Sequence, residues 1–188
     1  MDIASPNDEV PAQPKRRKRL RMIGIVAGCL VGLLATLGVT FMVVGAITGN
    51  HTLGSVSYDQ IPPNHGDHSP VWQRCGFYSQ PVGDEHAVHS LEHGAVWITF
   101  DPALHESGIE LIRGFAQNDD LILASPYQGL PAQVVVSAWG RQLLLDTLDS
   151  ASLEQALLDI REGPDAPEPG GGCDGPNLRL SGGTGNPE

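Results

Sequence analysis

The sequence predicts an α+β protein: one N-terminal transmembrane helix, then a small two-layer domain with a mixed or antiparallel sheet and two helices. Three observations carry this reading. A long uncharged apolar run follows a basic cluster near the start. Short β-branched and aromatic runs recur through the second half. Two stretches among them carry apolar residues at helical spacing.

The first 21 residues end in "KRRKRLR", which holds six of the eleven basic residues. From Met22 to Gly49 no side chain is charged. A helix of roughly 20 apolar residues crosses a hydrocarbon core of about 30 Å, so residues 22–49 are expected to span a membrane. The basic cluster before the run places residues 1–21 in the cytoplasm and everything after residue 49 outside, by the positive-inside rule. The run is longer than a signal-peptide core and lacks an A-x-A cleavage site, which favours an uncleaved anchor. "VAGC" before Cys29 resembles a lipoprotein processing box, but the sequence stays apolar for nearly twenty residues beyond it.

Residues 50–162 are expected to form the extracytoplasmic domain. "GSVSYDQIPPNHGDHSPVW" is punctuated by proline and glycine and offers at most one short strand, near Val56 and Tyr58. "AVWITF" (95–100) reads as a buried strand. "SGIELIRGFAQN" begins with Ser107 followed by Glu110 three residues later, a capping-box pattern. Ile109, Ile112 and Phe115 or Ala116 then repeat at helical spacing. "LILASPY" and "QVVVSAWG" read as strands, with "RQLLLD" returning as a hairpin partner after Gly140. "SASLEQALLDIRE" is the second helix, its inward face formed by Leu153, Ala156, Leu157 and Ile160. Residues 163–188 are half glycine and proline and are expected to be disordered, apart from a tether at Cys173.

Beyond residue 49 there are five arginines, no lysine and nineteen acids, a net charge of −14. Such a body repels phosphate backbones, so nucleic-acid binding is not expected, whereas cations are favoured. All seven histidines fall between His51 and His105. "HAVHSLEHG" (86–94) holds three of them with Glu92, and His68 lies in "NHGDH" upstream. On a helical turn, His89 and His93 share a face at i and i+4, with Glu92 beside them. This spacing suits a transition metal, copper or zinc, bound through His68, His89 and His93. Glu92, His51, His86 and Cys75 are further candidate ligands or supports for them. H-x-x-E-H from His89 to His93 also spells an inverted zincin motif, but Gly94 leaves no long helix to carry it.

Cys75 and Cys173 are the two cysteines of the exported part and are expected to pair in an oxidising compartment. In the chain-entropy model a bridge closing about 100 residues is worth up to ~4.7 kcal/mol. Cys75 as a thiolate ligand is the other reading. Trp72, Trp97 and Trp139 are expected as core or loop anchors. No nucleophile elbow or phosphate loop is present, and catalysis is not assigned.

"YDQIPPNHGDHSPVWQRCGFY", "HAVHSLEHGAVWITF", "SPYQGLPAQVVVSAWG" and "APEPGGGC" together resemble the bacterial and archaeal domain-of-unknown-function family 3105, over about His51 to Cys173. The resemblance implies a membrane-anchored or secreted protein and no established activity. Its pattern carries over onto His51, His68, His89, Glu92, His93 and Trp139. It departs at His65, where the family has a small hydroxyl residue, which favours His68 as the ligand of that loop. Three functions are therefore open: a metal-binding extracytoplasmic domain, a non-catalytic envelope interaction module with structural histidines, and a metal-dependent hydrolase or oxidase.

Overall fold

The β-branched runs become strands and the periodic runs become helices. The computed structural model describes residues 49–161, 166–170 and 184–188. In chain order the elements are β1 (Gly76–Phe77), α1 (Asp84–Glu92), β2 (Val96–Phe100), α2 (Glu106–Asn118), β3 (Ile122–Pro126), β4 (Val134–Ala138), β5 (Arg141–Leu145) and α3 (Ser150–Arg161). The five strands form one sheet in the order β1-β3-β2-β4-β5. β3 pairs in parallel with both β1 and β2, while β4 is antiparallel to β2 and to β5. The sheet is thus mixed. Helix α2 makes the crossover that the parallel pair β2 and β3 requires, and Gly140, at φ +68°, turns β4 into β5.

Two expectations are corrected. Among the described residues there are three helices where the domain was expected to have two, and they cover both faces of the sheet. On one face Val96, Ile98 and Phe100 of β2 join Ile122, Ala124, Val134 and Val136, packed against Ile112 and Ala116 of α2 and Leu153, Ala156, Leu157 and Ile160 of α3. On the other face Trp97 and Leu123 meet Ala87, Val88 and Leu91 of α1, together with Trp72, Cys75, Tyr78 and Trp139. All five residues of β2 and of β3 are buried, since neither face meets water. The layering is therefore helix, sheet, then helix with an irregular arm.

Smaller differences have local causes. The arm has no strand at Val56–Tyr58, a stretch with no regular structure between bends at Leu53–Gly54 and Asp59–Gln60, and the extra strand is β1. Helix α2 starts one residue before Ser107 because His105 is its N-cap, the ring accepting from Ser107 N. Two pieces of the expected disordered tail make contacts instead: Glu168 N donates to Glu92 O, and Thr184 N to Trp72 O.

Among the described residues no helix is long and apolar enough to cross a membrane. The expected anchor lies outside them, apart from Gly49.

Candidate functional site

Helix α1 and the arm build the site together. Its sequence, "DEHAVHSLE", places Ala87, Val88 and Leu91 against the sheet and leaves His89, Ser90 and Glu92 buried under the arm. The helix stops because Gly94 takes φ +94° and donates to Leu91 O, which lets the chain turn directly into β2. The arm then fastens to the helix at successive points. Ser69 N donates to Glu85 O, Gln73 N donates to His86 O, and Ser90 Oγ donates to Gln73 O at 2.6 Å. At its far end the arm is tied to the β4–β5 hairpin, where Gly140 N donates to Asn64 O and Gln142 Nε2 to Pro62 O.

A second arm contact brings in a residue from far upstream. Thr52 N donates to His68 O at 2.7 Å and His68 N donates to Asn50 O at 3.0 Å, so His51 and His68 pair as a short parallel bridge. Asn50 is pinned further by Asp67 Oδ1, which accepts from its backbone and side-chain nitrogens. Gly49 is required by this approach, since a Cβ there would stand 2.0 Å from Gly66 O.

The result is a cluster of His51, His68, His89 and Glu92, whose ligand atoms all lie within 4.8 Å of one another. The rings of His51, His68 and His89 form a near-equilateral triangle with centroids 4.9–5.0 Å apart. Trp139 meets the His68 ring edge-on and Trp72 does the same to His89, so indoles wall the imidazoles from two sides. His68 is fully buried, whereas the His51 side chain is 53% exposed.

Hydrogen bonds settle where the ring protons sit. His68 Nδ1 lies 2.8 Å from Gly66 O, and His89 Nδ1 lies 2.6 Å from Ser69 O. A carbonyl only accepts, so each Nδ1 carries a proton, and in the neutral ring Nε2 is left as a lone pair facing the cluster. Burial pushes the His89 pKa down to about 4; the Ser69 carbonyl opposes this, while the His93, His68 and His51 rings add to it. His89 Nε2 is thus bare at neutral pH, and the 2.8 Å contact from His93 Nε2 is donated by His93. His68 Nε2 has no hydrogen-bond partner although it is buried. Glu92 Oε2 lies 3.0 Å from it, within ion-pair distance but without hydrogen-bond geometry. Four donors of this kind could hold a metal ion. A tetrahedral centre with bonds of about 2.1 Å sets its ligand atoms about 3.4 Å apart and imidazole centroids about 5 Å apart. The ring triangle already has that size.

Residues 51–175 match the family described as "Protein of unknown function (DUF3105)". The chain belongs to that family. The DUF3105 match starts at His51 itself and takes in every member of the cluster, while Thr184–Glu188 falls beyond it. No curated protein and no solved structure matches the chain.

The other sequence candidates are placed as follows. His93 stands at the rim, Nε2 against His89 and Nδ1 3.7 Å from Glu168 Oε2. His86 turns away from the cluster, Nδ1 against Val71 O at 2.5 Å. His65 bonds Asn64 Oδ1, and His105 caps α2. Cys75 is buried in the core of this face and is disulfide-bonded, so it is not a thiolate ligand. Cys173, its expected partner, lies outside the described residues. His51 was visible only as an outlying candidate, because the bridge that delivers it to His68 leaves no local pattern in the sequence.

Proposed function

We propose that this is a single-pass membrane protein whose extracytoplasmic domain binds one transition metal ion, zinc or copper, through His51, His68, His89 and Glu92. The observation that carries the reading is His68 Nε2, a buried nitrogen left without a hydrogen bond and directed toward a carboxylate. Burying such an atom unpaired costs roughly 1–3 kcal/mol, and a cation shared with Glu92 removes that cost. The carbonyls of Gly66 and Ser69 then have the role that backbone acceptors play behind metal-bound imidazoles: they fix the tautomer and the ring orientation. Imidazole and carboxylate donors suit zinc or Cu(II), and a full set of four protein donors is the pattern of a closed, structural site rather than a catalytic one. His93 Nε2 donates to the one lone pair of His89 Nε2, a contact that a bound metal would replace, so His93 is assigned to the rim in place of the i, i+4 ligand role its spacing suggests.

The membrane part of the proposal rests on the uncharged run from Met22 to Gly49 and the basic cluster before it. The same topology puts Cys75 in an oxidising compartment, where Cys173 is the proposed partner of its disulfide.

Elemental analysis of the full chain purified in detergent tests the metal. About one equivalent is expected in the wild type and in His93→Ala, with almost none in His68→Ala or His89→Ala. Negligible metal in the wild type, after growth with added zinc or copper, would remove the reading. The 3.0 Å approach of His68 to Glu92 favours one alternative, a buried imidazolium–carboxylate pair in a non-catalytic interaction module. In that case chelators leave the melting temperature unchanged.

A further inference from the structure

The four donors of the cluster are not held alike. His68, His89 and Glu92 are buried, and the rings of His68 and His89 are each fixed through Nδ1 by a backbone carbonyl. His89 and Glu92 belong to α1, and His68 precedes the arm residue whose backbone is bonded to that helix, Ser69. His51 differs in each respect. Its side chain is 53% exposed, and its Nε2 stands 4.0 Å from Glu92 Oε2. Among the described residues no hydrogen bond orients its ring. A ligand imidazole without such a partner is free to turn away from the ion it binds.

Residues 49–52 form the strap that carries His51. It is held by the two backbone bonds to His68 and by Asn50, whose N and Nδ2 donate to Asp67 Oδ1 at exposed positions, 3.0 and 3.1 Å away. Beyond it the Leu53 side chain is 96% exposed, and among the described residues no side chain before Tyr58 joins either apolar cluster. A segment tied by exposed polar bonds, with no apolar side chain in the core, opens far below the cost of global unfolding. The strap seats only with glycine at its start. A Cβ on Gly49 would meet Gly66 O at 2.0 Å and His68 Nδ1 at 2.7 Å.

We infer that His51 is the detachable ligand of the metal site: its strap swings away while His68, His89 and Glu92 keep the ion, and an imidazole nitrogen from outside the chain can take the vacated position. This rests on the metal reading of the same cluster. In the exchange the metal–nitrogen bond to His51 breaks and one to the incoming ring forms. A neutral ring replaces a neutral ring, so the charge of the site is unchanged. The two buried rings keep their carbonyl partners throughout, which leaves a preorganised three-donor centre with one open position. Trp139 and Trp72 lie edge-on against His68 and His89, so the incoming ligand approaches from the exposed His51 side. An ion held in this way is taken up and released without unfolding the domain.

The test uses the full chain in detergent, loaded with zinc, or with Cu(II) if that is the ion it retains, and follows release of the metal to an excess of a chromogenic chelator. Wild type, His51→Ala and Gly49→Ala should each hold about one equivalent. Both variants should release it at least about tenfold faster than the wild type. His51→Ala removes the ring, whereas Gly49→Ala keeps the ring and unseats the strap, so the pair guards against a local fault in either one. Imidazole in the millimolar range should slow release from both variants toward the wild-type rate. Pyrrole at the same concentration, whose ring nitrogen has no free lone pair, should not. The inference is overturned if either variant holds no metal, if either releases it at the wild-type rate, or if imidazole slows release no better than pyrrole. A wild type that retains neither ion removes the metal reading itself, an outcome distinct from these.

Discussion

The two faces of the sheet are built on different principles. The α2–α3 face is closed by aliphatic and aromatic side chains, and among the described residues no buried polar side chain joins them. The α1 face mixes indoles and aliphatics with buried His68, His89, Ser90, Glu92, Thr99, Ser125 and Ser137. Most of these polar groups are matched. Trp97 Nε1 donates to Ser125 Oγ, Thr99 Oγ1 to Val135 O, and Ser90 Oγ to Gln73 O. His68 Nε2 is the exception. The comparison teaches that one face supplies stability by area and the other trades some of it for a positioned group of imidazoles and a carboxylate, because buried polar atoms cost free energy unless each finds a partner.

That contrast can be broken most strongly on the apolar face. Ile98→Ala, at a position with no exposure, should cost about 2–5 kcal/mol in urea unfolding, with no change in bound metal. The α1 face should respond instead to ligand. If metal is held at about 100 times its Kd, a chelator removes about 2.7 kcal/mol. For a domain of this size that is a fall in Tm of about 10 °C. The same chelator should leave His68→Ala unmoved, so an equal fall in both proteins would erase the distinction between the faces. Ser90→Ala deletes the 2.6 Å bond to Gln73 O that pins the arm to α1, and should cost about 1–2 kcal/mol while loosening metal binding. An unchanged metal affinity in that variant would show that the arm does not need α1 to present His68.

The smallest effect is a pH dependence at the start of α1. Burial raises the Asp84 pKa; the hydrogen bond from the Tyr127 hydroxyl opposes this, and the neighbouring Glu85 charge adds to it. A carboxyl with a raised folded pKa holds its proton more tightly in the folded state. Stability therefore falls as pH rises from the unfolded to the folded value, and the penalty persists above it. Asp84→Asn keeps an acceptor for Tyr127 and should be slightly more stable than the wild type at pH 7, with the difference fading as pH falls through that window. Melting curves across pH check the sign, and a wild type that gains on the variant as pH rises would reverse it.

Legibility in the sequence followed how local each signal is. Strands β2 to β5 and helices α2 and α3 were readable because β-branched runs and a 3.6-residue apolar repeat are contained within a dozen residues. Helix α1 was underestimated, since its buried face is made of His89, Ser90 and Glu92 as well as aliphatics, and the apolar period is diluted. β1 was missed because two residues carry no pattern; it is a strand only because β3 offers it a partner. His68, His89 and Glu92 could be named from their residue types and spacing. His51 could be named only as a further candidate beside His86 and Cys75, and the rim position of His93 could not be read at all, because both depend on how the arm lies over the helix.

By itself, the sequence determined that this chain carries an acidic, lysine-free domain rich in histidine, with the residue types of a mixed sheet and the motif blocks of its family. Those properties are sums over local composition and survive without any long-range contact. The tertiary structure alone decided which imidazoles face one another, which nitrogen of His68 and of His89 is turned toward the cluster, and that a distant glycine- and proline-rich segment lies along β1. Each of these depends on backbone hydrogen bonds between residues far apart in the chain, and such bonds form only when the arm, α1 and the sheet are already packed together.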